Sequence, residues 1–176
     1  PSVSTRATLA ALVLLAVAVC TAAIRVDRRV VDVAEVGNAD SEAAHGFAGE
    51  ALETGRIVGA PHVATGAWMH FALTTFDDTE VTVELTLVNP ASSARSFDLI
   101  VEDSVVATRT VSPRVSSPVV VPFAVPFART KGKAHVIVIV RARDGLTPGV
   151  RRLRTIQDHY EVFEADLSPS PFGVAR

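Results

Sequence analysis

The stretch EVTVELTLVN, residues 80–89, decides the fold. Valine and leucine occupy positions 81, 83, 85 and 87, and polar residues fill the positions between them. Because successive side chains of a strand point to opposite faces of a sheet, this alternation predicts a strand with one buried and one wet face. RSFDLIVED, residues 95–103, repeats the pattern. The polar segment NPASSA between them, in which Pro90 ends the first strand, predicts a hairpin-type connection.

Further short strands are predicted on both sides of this pair, at intervals of roughly 8–15 residues. No amphipathic helical pattern separates them, which argues against βαβ units and a parallel sheet. The chain is therefore predicted to be all-β, an antiparallel β-sandwich or jelly roll with Greek-key connections. The additional strands are predicted at residues 68–76, 104–111, 117–125, 133–143 and 150–157.

Three local features refine this prediction. KAHVIVIVRAR, residues 133–143, is apolar on both faces at its centre, which suits a strand in the middle of a sheet. Pro122 and Pro126 lack a backbone donor and should lie at an edge or a bend. Residues 32–66 are rich in Gly, Ala and acidic residues and are expected to form loops with at most one or two strands.

An uncharged apolar run, ATLAALVLLAVAVCTAAI, fills residues 7–24. Its 18 residues are at the lower limit for crossing a bilayer. Three interpretations are open: a cleaved secretory signal with small residues after the apolar core, an uncleaved membrane anchor, and a buried strand or helix. The arginines that follow the run count against simple cleavage and export, because positive flanks prefer the cytoplasmic side. Either of the first two predicts an N-terminal hydrophobic helix.

The expected organisation follows from that run. Residues 1–29 are predicted to be a signal peptide or membrane anchor, residues 30–163 the β-sandwich domain, and residues 164–176 a flexible tail. The sandwich is then expected to be exported, in an extracellular or cell-envelope location, with residues 7–24 as its membrane contact.

Composition limits the partners and the chemistry. The net charge is −2 and the isoelectric point is about 6.2, so no strong positive field attracts nucleic acid, and no nucleic-acid partner is expected. The single cysteine, Cys20, lies inside the apolar run and cannot form an intramolecular disulfide.

Motifs for catalysis and for cofactors are missing from the sequence. There is no G-x-S-x-G, no H-E-x-x-H, no paired cysteines and no phosphate-binding glycine pattern, so neither a cofactor nor a metal is predicted. A carboxylate pair for glycoside hydrolysis could be drawn from several acidic residues. However, Asp77 and Asp78 lie in the turn signal FDDTE, where a turn role is favoured. The chain is therefore expected not to be an enzyme, with a small hydrolase left open.

Two side chains on one predicted strand are candidates for ligand binding. Trp68 is the one tryptophan and could be a stacking platform for a sugar ring, although a place in the core is the favoured interpretation. His70 lies between apolar residues, where a structural or surface role is favoured over a ligand role.

The stretch DSEAAHG, residues 40–46, contains a further pair, Glu42 and His45, with the Glu-x-x-His spacing of helical-bundle iron sites. An all-β fold offers no such bundle. We therefore place Ser41, Glu42 and His45 at the entry to the sandwich, where Ser or Asp caps a turn and Glu42 and His45 tie the N-terminal segment to the sheet by side-chain hydrogen bonds.

Several of these pieces together resemble a known accessory domain. The shared elements are Ser41-Glu42-x-x-His45, Thr54-Gly55, Gly66-x-Trp68, the FDLIV strand, and the segments GKAHVIVIVRARDG and LRTIQDHYE. The chain from about residue 31 to 161 resembles the C-terminal β-sandwich domain, of unassigned function, found in β-L-arabinofuranosidase-like glycoside hydrolases and secreted relatives. The resemblance implies a galactose-binding-domain-like jelly roll. Because the catalytic residues of those hydrolases lie in a different domain, the resemblance implies that this chain carries none of the hydrolytic machinery.

The resulting functional hypothesis is a non-catalytic, exported or membrane-anchored module that binds carbohydrate or docks onto a glycoside hydrolase. The candidate binding residues are Trp68, His70, Glu42 and His45. The alternative is a purely structural cell-envelope module, and a small glycoside hydrolase is a third hypothesis. The scarcity of aromatic residues, at 6% of the chain, counts against glycan binding.

Overall fold

The computed structural model describes residues 24–56, 62–76 and 79–162. Over these ranges the chain folds into two β-sheets, as predicted, and two short helices. The strands are β1 (Ile24–Glu35), β2 (Ala48–Glu50), β3 (Glu53–Arg56), β4 (His62–Thr65), β5 (Trp68–Thr74), β6 (Val81–Asn89), β7 (Arg95–Val101), β8 (Ser104–Val111), β9 (Val115–Val125), β10 (His135–Ala142) and β11 (Gly149–Val162), and the helices are α1 (Ala39–Ala44) and α2 (Phe127–Thr130).

The first sheet has six strands in the order β3-β4-β11-β6-β9, with β1 also paired to β11. The second has five strands in the order β2-β5-β10-β7-β8. The pairings along both orders are antiparallel, which confirms the predicted sandwich architecture. Residues 28–159 form one compact unit, and the outer ends of β1 and β11 are grouped outside it.

The alternation in residues 80–89 has the predicted consequence. The apolar residues of β6 are buried, namely Val81, Val83, Leu85 and Leu87. The polar residues between them, Thr82 and Glu84, are partly exposed, whereas Thr86 is also buried. Apolar side chains on the inner faces of both sheets join into one core cluster, which includes Met69, Phe71, Leu73, Phe97, Leu99, Val101, Val136, Val138, Val140, Val150 and Leu153. The stacking of the two inner faces therefore supplies the hydrophobic stabilisation of the fold.

Two positional predictions are confirmed. Strand β10 lies between β5 and β7 in the middle of its sheet. Val136, Val138 and Val140 point into the core, and Ile137 and Ile139 on the opposite face are half-buried. Pro122 lies in β9, at the edge of the six-stranded sheet, and Pro126 marks the bend that precedes α2.

The prediction for residues 32–66 is wrong. Instead of loops with one or two strands, the segment holds the end of β1, helix α1 and strands β2, β3 and β4. These strands are short or carry charged residues, so they show no apolar alternation of their own. They form because β11, β4 and β5 supply hydrogen-bonding partners, which a local pattern cannot reveal.

Three other predictions fall outside the described residues: the hydrophobic helix, whose residues 7–23 are not described, the turn at Asp77 and Asp78, and the flexible tail at residues 164–176. Within the described ranges, neither helix has the length and apolar character needed to span a bilayer.

Candidate functional site

Strand β5 turns Trp68 and His70 away from the core. Met69, Phe71 and Leu73 are buried, whereas Trp68 and His70 are half-exposed on the opposite side of the strand. The favoured interpretation of Trp68 as a core aromatic is therefore wrong. The reason is that Met69, Phe71 and Leu73 are the more apolar of the two alternating sets, and they take the inner face.

Charged side chains flank Trp68 in a row that crosses the five-stranded sheet. Glu50 of β2 and Arg141 of β10 lie directly opposite Trp68 on its two neighbouring strands. Asp98 of β7 lies opposite Arg141, and Thr108 of β8 lies opposite Asp98. The term Trp68 face is used below for the outward surface formed by Glu50, Trp68, His70, Arg141, Asp98 and Thr108.

Hydrogen bonds fix this row. The Trp68 indole Nε1 donates to Glu50 Oε2 at 3.0 Å, and Arg141 Nη2 donates to Asp98 Oδ2 at 3.3 Å. Thr108 Oγ1 donates to Asp98 Oδ1 at 2.7 Å. The hydrogen bonds from Thr108 and Arg141, with the positive charges of Arg143 and Arg141, hold the pKa of Asp98 below its ordinary value, although burial alone would raise it. Asp98 is therefore a fixed anion and a hydrogen-bond acceptor.

A less polar row lies beside the charged one. His70 is opposite Ile139 of β10, which is opposite Ile100 of β7. Val105 of β8, opposite Ile100, is 55% exposed. The His70 ring is held by a 3.0 Å hydrogen bond between Nδ1 and the carbonyl oxygen of Gly46. The Trp68 face thus combines aromatic and aliphatic surface with charged groups at fixed positions.

A cavity of about 460 Å³ lies further along β5. It is lined by Ala72 and Thr74 of β5, by His135 of β10, and by Asp32, Ala44 and His45. Ala72 and Thr74 have the same parity as Trp68 and His70, so the cavity continues the outward surface of that strand. Three of the four predicted binding residues, Trp68, His70 and His45, therefore follow one side of β5.

Within this cavity His45 and Asp32 are bound to each other and to the backbone. His45 Nε2 lies 3.0 Å from Asp32 Oδ1, and His45 Nδ1 lies 2.6 Å from the carbonyl oxygen of Ser41. Burial alone would lower the pKa of His45, but the Asp32 carboxylate and the Ser41 carbonyl oxygen, which only accept hydrogen bonds, raise it and favour the imidazolium form. Because these two acceptors engage both ring nitrogens, His45 has a structural role that joins Ser41 to Asp32.

Glu42 does not reach this surface. Its Oε1 accepts a hydrogen bond from the backbone N–H of Gly37 at 2.7 Å, and Ser41 Oγ accepts one from Glu35 N at 2.9 Å. With the bond from His45 to Asp32, these contacts confirm that DSEAAHG ties the start of the domain to the sheets. Among the residues that the structure describes, no group of three His, Cys, Asp or Glu side chains could hold a metal ion.

Sequence reasoning missed Glu50, Arg141 and Asp98. Arg141 and Asp98 sit at polar positions of otherwise apolar strands, which predicts that they face outward. That they meet beside Trp68 depends on the strand order β2-β5-β10-β7, which joins strands far apart in the chain.

Solved structures with a similar fold include carbohydrate-binding modules and one part of a larger enzyme. CBM35 from Cellvibrio japonicus Abf62 matches with a TM-score of 0.51 and 10% identity, over 77% of this chain and 97% of that one. A family 35 carbohydrate-binding module from an environmental isolate matches with a TM-score of 0.50 and 16% identity, over 76% and 98%. At such identities the likeness shows the fold, and it confirms the predicted sandwich.

An exo-β-1,3-galactanase from Phanerochaete chrysosporium, solved with β-1,3-galactotriose, matches with a TM-score of 0.51 and 11% identity. The match covers 70% of this chain but 28% of the galactanase, so it concerns one part of that enzyme. No curated protein matches this sequence. The sequence profile of a family of unknown function, DUF6805, matches residues 25–156, and the chain belongs to this family.

Proposed function

We propose that this DUF6805 domain is a non-catalytic carbohydrate-binding module whose glycan lies across the Trp68 face. The observation that carries the proposal is the place of Trp68. The one tryptophan of the chain stands half-exposed on the outside of a sheet, with ionised side chains directly opposite it on both neighbouring strands.

The chemistry of the Trp68 face suits a sugar. A pyranose or furanose ring presents C–H groups on its faces and hydroxyls around its rim. An aromatic ring provides a surface for the C–H groups, and charged groups form the stronger hydrogen bonds with the hydroxyls. Glu50 can accept from hydroxyls, and Arg141, whose side chain is 51% exposed, can donate to them, while Asp98, 13% exposed, holds Arg141 in place.

The extent of the face favours a chain of several sugar units. The charged row crosses all five strands of its sheet, and the outer strands of such a sheet are about 19 Å apart at the usual strand spacing. The cavity lined by Thr74 and His135 extends the same surface along β5. A polysaccharide lying on the sheet would contact all of these groups, whereas a monosaccharide would reach only a few.

The state of Asp98 supports binding over hydrolysis. A glycosidase needs one carboxyl group with a raised pKa to protonate the leaving group. Asp98 has a lowered pKa and is held by Thr108 and Arg141. It is therefore suited to fixing Arg141 on the Trp68 face rather than to donating a proton to a leaving group.

We further propose that the module acts outside the cytoplasm, delivered or anchored through residues 7–24, and that its partner is a glycoside hydrolase. The apolar run supports the first part, and the resemblance to the accessory domain of arabinofuranosidase-like enzymes supports the second.

Affinity electrophoresis in gels that contain arabinans, arabinogalactans, xylans, β-1,3-galactans or bacterial-wall polysaccharides tests the proposal. The chain should be retarded by at least one of them, and Trp68→Ala should abolish the retardation because stacked rings contribute much of the binding. Val120→Ala, on the exposed edge of the other sheet, is the control and should migrate like the wild type.

Two results would overturn the proposal. Retardation that survives Trp68→Ala would place the glycan elsewhere, and no retardation by any polysaccharide would favour the purely structural envelope module. Release of nitrophenol from nitrophenyl arabinosides or galactosides above the buffer rate would instead favour the hydrolase.

A further inference from the structure

A second cavity lies at one end of the sandwich and is lined by residues that are not part of the Trp68 face. It has a volume of about 260 Å³ and collects residues from the β3–β4 hairpin, the β6–β7 connection and the starts of β7 and β11. Its lining residues are Glu53, Thr54, Gly55, Val63, Thr65, Pro90, Arg95 and Gly149. None of them belongs to the Trp68 face, so this cavity has no part in the site described above.

We infer that this cavity is a separate binding site for one neutral sugar ring, such as the terminal residue of a glycan. Its volume is just below the usual range for small-molecule pockets, about 300–1,000 Å³, which suits a single ring. It therefore differs from the extended Trp68 face in the part of a glycan that it would take.

The charges of the lining favour a neutral ligand. Among the described residues of the lining, Glu53 is the one carboxylate and Arg95 the one guanidinium, so these two formal charges cancel. A cationic ligand would meet Arg95 and an anionic ligand would meet Glu53. A neutral polyol can use both, because its hydroxyls donate to the carboxylate and accept from the guanidinium.

The other lining groups complete the match to a sugar. The hydroxyls of Thr54 and Thr65 can both donate and accept hydrogen bonds. Val63 and Pro90 supply apolar surface for the C–H groups of a ring. A few polar groups over an apolar lining are typical of small-molecule sites.

Arg95 is fixed in place before any ligand binds. Its Nη1 donates to the carbonyl oxygen of Thr147 at 2.7 Å. Thr147 is fully buried, and it is itself held by hydrogen bonds to the backbone of Gly66 at 2.9 Å and 3.2 Å. Since a guanidinium has five N–H donors, Arg95 keeps others for a ligand and binding need not order its side chain.

The two glycines of the lining differ in a way that makes the inference testable. A Cβ on Gly149 would lie 2.9 Å from Val88 Cγ2, so a side chain there would disturb the packing. A Cβ on Gly55 would meet nothing within 4 Å, and its φ is not in the left-handed region. A large side chain at Gly55 can therefore fill the cavity without displacing the fold.

The test is an NMR titration of the full chain with methyl β-galactopyranoside, methyl β-glucopyranoside, methyl β-xylopyranoside and methyl α-arabinofuranoside, with galacturonate as the charged comparison. At least one neutral glycoside should shift the amide signals of Thr54, Gly55 and Thr65 with saturation in the millimolar range. Gly55→Phe should raise the Kd for that glycoside by about tenfold or more, because the phenyl ring would occupy the cavity. Gly55→Ala should leave it within about twofold.

Controls separate this inference from the proposed function. Trp68→Ala should leave the titration at Gly55 unchanged even where it abolishes retardation by a polysaccharide. Gly55→Phe should weaken binding of the glycoside and leave retardation by the polysaccharide unchanged. The inference is overturned if no neutral glycoside gives saturating shifts at these amides, if galacturonate binds more tightly than every neutral glycoside, or if Gly55→Phe with a native-like spectrum binds as well as the wild type.

Discussion

His45 Nε2 and Asp32 Oδ1 lie 3.0 Å apart although the two residues are 13 positions apart in the chain. Asp32 Oδ2 also accepts a hydrogen bond from Thr74 N at 2.7 Å. One carboxylate thus joins β1, the residue that follows α1, and β5. The side chains of both residues are largely withdrawn from solvent, at 11% exposure for His45 and 19% for Asp32.

The pair makes stability depend on pH. Burial alone would lower the pKa of His45, but the hydrogen bonds to Asp32 and to the Ser41 carbonyl raise it above 6.5. Burial alone would raise the pKa of Asp32, but the bonds from Thr74, His45 and Val33 bring it below 3.8. The His45 contribution is complete below its unfolded pKa and is lost as the pH rises through the raised folded pKa. The Asp32 contribution is present above its unfolded pKa and is lost as the pH falls through the lowered folded pKa.

We therefore predict that His45→Gln lowers the free energy of unfolding by about 2 kcal/mol between about pH 4 and pH 6.5, the size of a hydrogen bond to a charged group. The difference from the wild type should shrink as the pH rises above the folded pKa of His45. Urea denaturation of both proteins across this range measures it. A difference that does not change with pH would contradict the assignment of His45 as an imidazolium.

The buried centre of β10 gives a second prediction. Val138 is 0% exposed and lies opposite Phe71 on one side and Val101 on the other. Val138→Asp would place an unpaired carboxylate in the core at a cost of about 4 kcal/mol or more, comparable to the total stability of many domains. The variant should be lost from the soluble fraction on expression.

The control for Val138 is Val119→Asp. Val119 lies on the edge strand β9 and is 44% exposed, so a carboxylate there stays in water. This variant should be soluble and change the melting temperature little. Equal solubility of the two variants would argue against the place of β10 in the middle of its sheet.

The contrast between β6 and residues 32–66 shows what a local pattern can reveal. In β6 the side chains alone report which face is buried, so period two predicts both the strand and its inner residues. Strand β2 has three residues, two of them exposed, and exists because β5 supplies its hydrogen bonds. The residues that determine this pairing lie in another part of the chain, so the sequence of β2 and its near neighbours does not predict the strand.

Asn89 shows the same limit at a single residue. The dipeptide Asn89-Pro90 predicts the end of a strand, which is correct. However, Asn89 is fully buried and its Nδ2 donates to the carbonyl oxygens of Ser93, Val111 and Ser112, between 3.0 and 3.1 Å away. Its side chain thereby holds the β6–β7 and β8–β9 connections together. Two of these acceptors are more than 20 positions away, so the role depends on the tertiary fold.

The β7–β8 hairpin gives a third prediction. Its two turn residues, Glu102 and Asp103, have φ of 49° and 63°, the left-handed pair of a type I′ turn, which favours glycine at the second position. Glu102 is needed because its Oε1 accepts from Ile137 N at 2.7 Å and its other oxygen pairs with Lys133. Asp103→Gly should therefore raise the free energy of unfolding by about 0.5–1 kcal/mol, by relieving the steric cost at Asp103.

Asp144→Gly is the matched control for the hairpin. Asp144 is exposed and its φ is not positive, so glycine there only adds freedom to the unfolded chain and should leave stability equal or slightly lower. Thermal melts of the two variants measure the contrast. A loss of stability in Asp103→Gly would contradict the assigned turn geometry.

The last prediction concerns Arg141, which lies between Trp68 and Asp98 on the Trp68 face. If a glycan occupies this face, Arg141→Ala should weaken binding of the retarding polysaccharide by about tenfold, the loss expected for a charged hydrogen bond. Stability should change by less than about 1 kcal/mol, because the ion pair with Asp98 is exposed on the arginine side. Isothermal titration and urea denaturation measure the two quantities separately.

Arg154→Ala provides the matched control on the opposite sheet. Arg154 Nε donates to Glu84 Oε2 at 2.6 Å, so this variant also removes an outward arginine paired with a carboxylate on the neighbouring strand. It should leave the affinity for the polysaccharide unchanged, because Arg154 belongs to the other sheet, which does not contain the Trp68 face. Equal losses of affinity in both variants would mean that the arginines attract the polysaccharide only through their charge. That result would contradict the assignment of the Trp68 face as the binding surface.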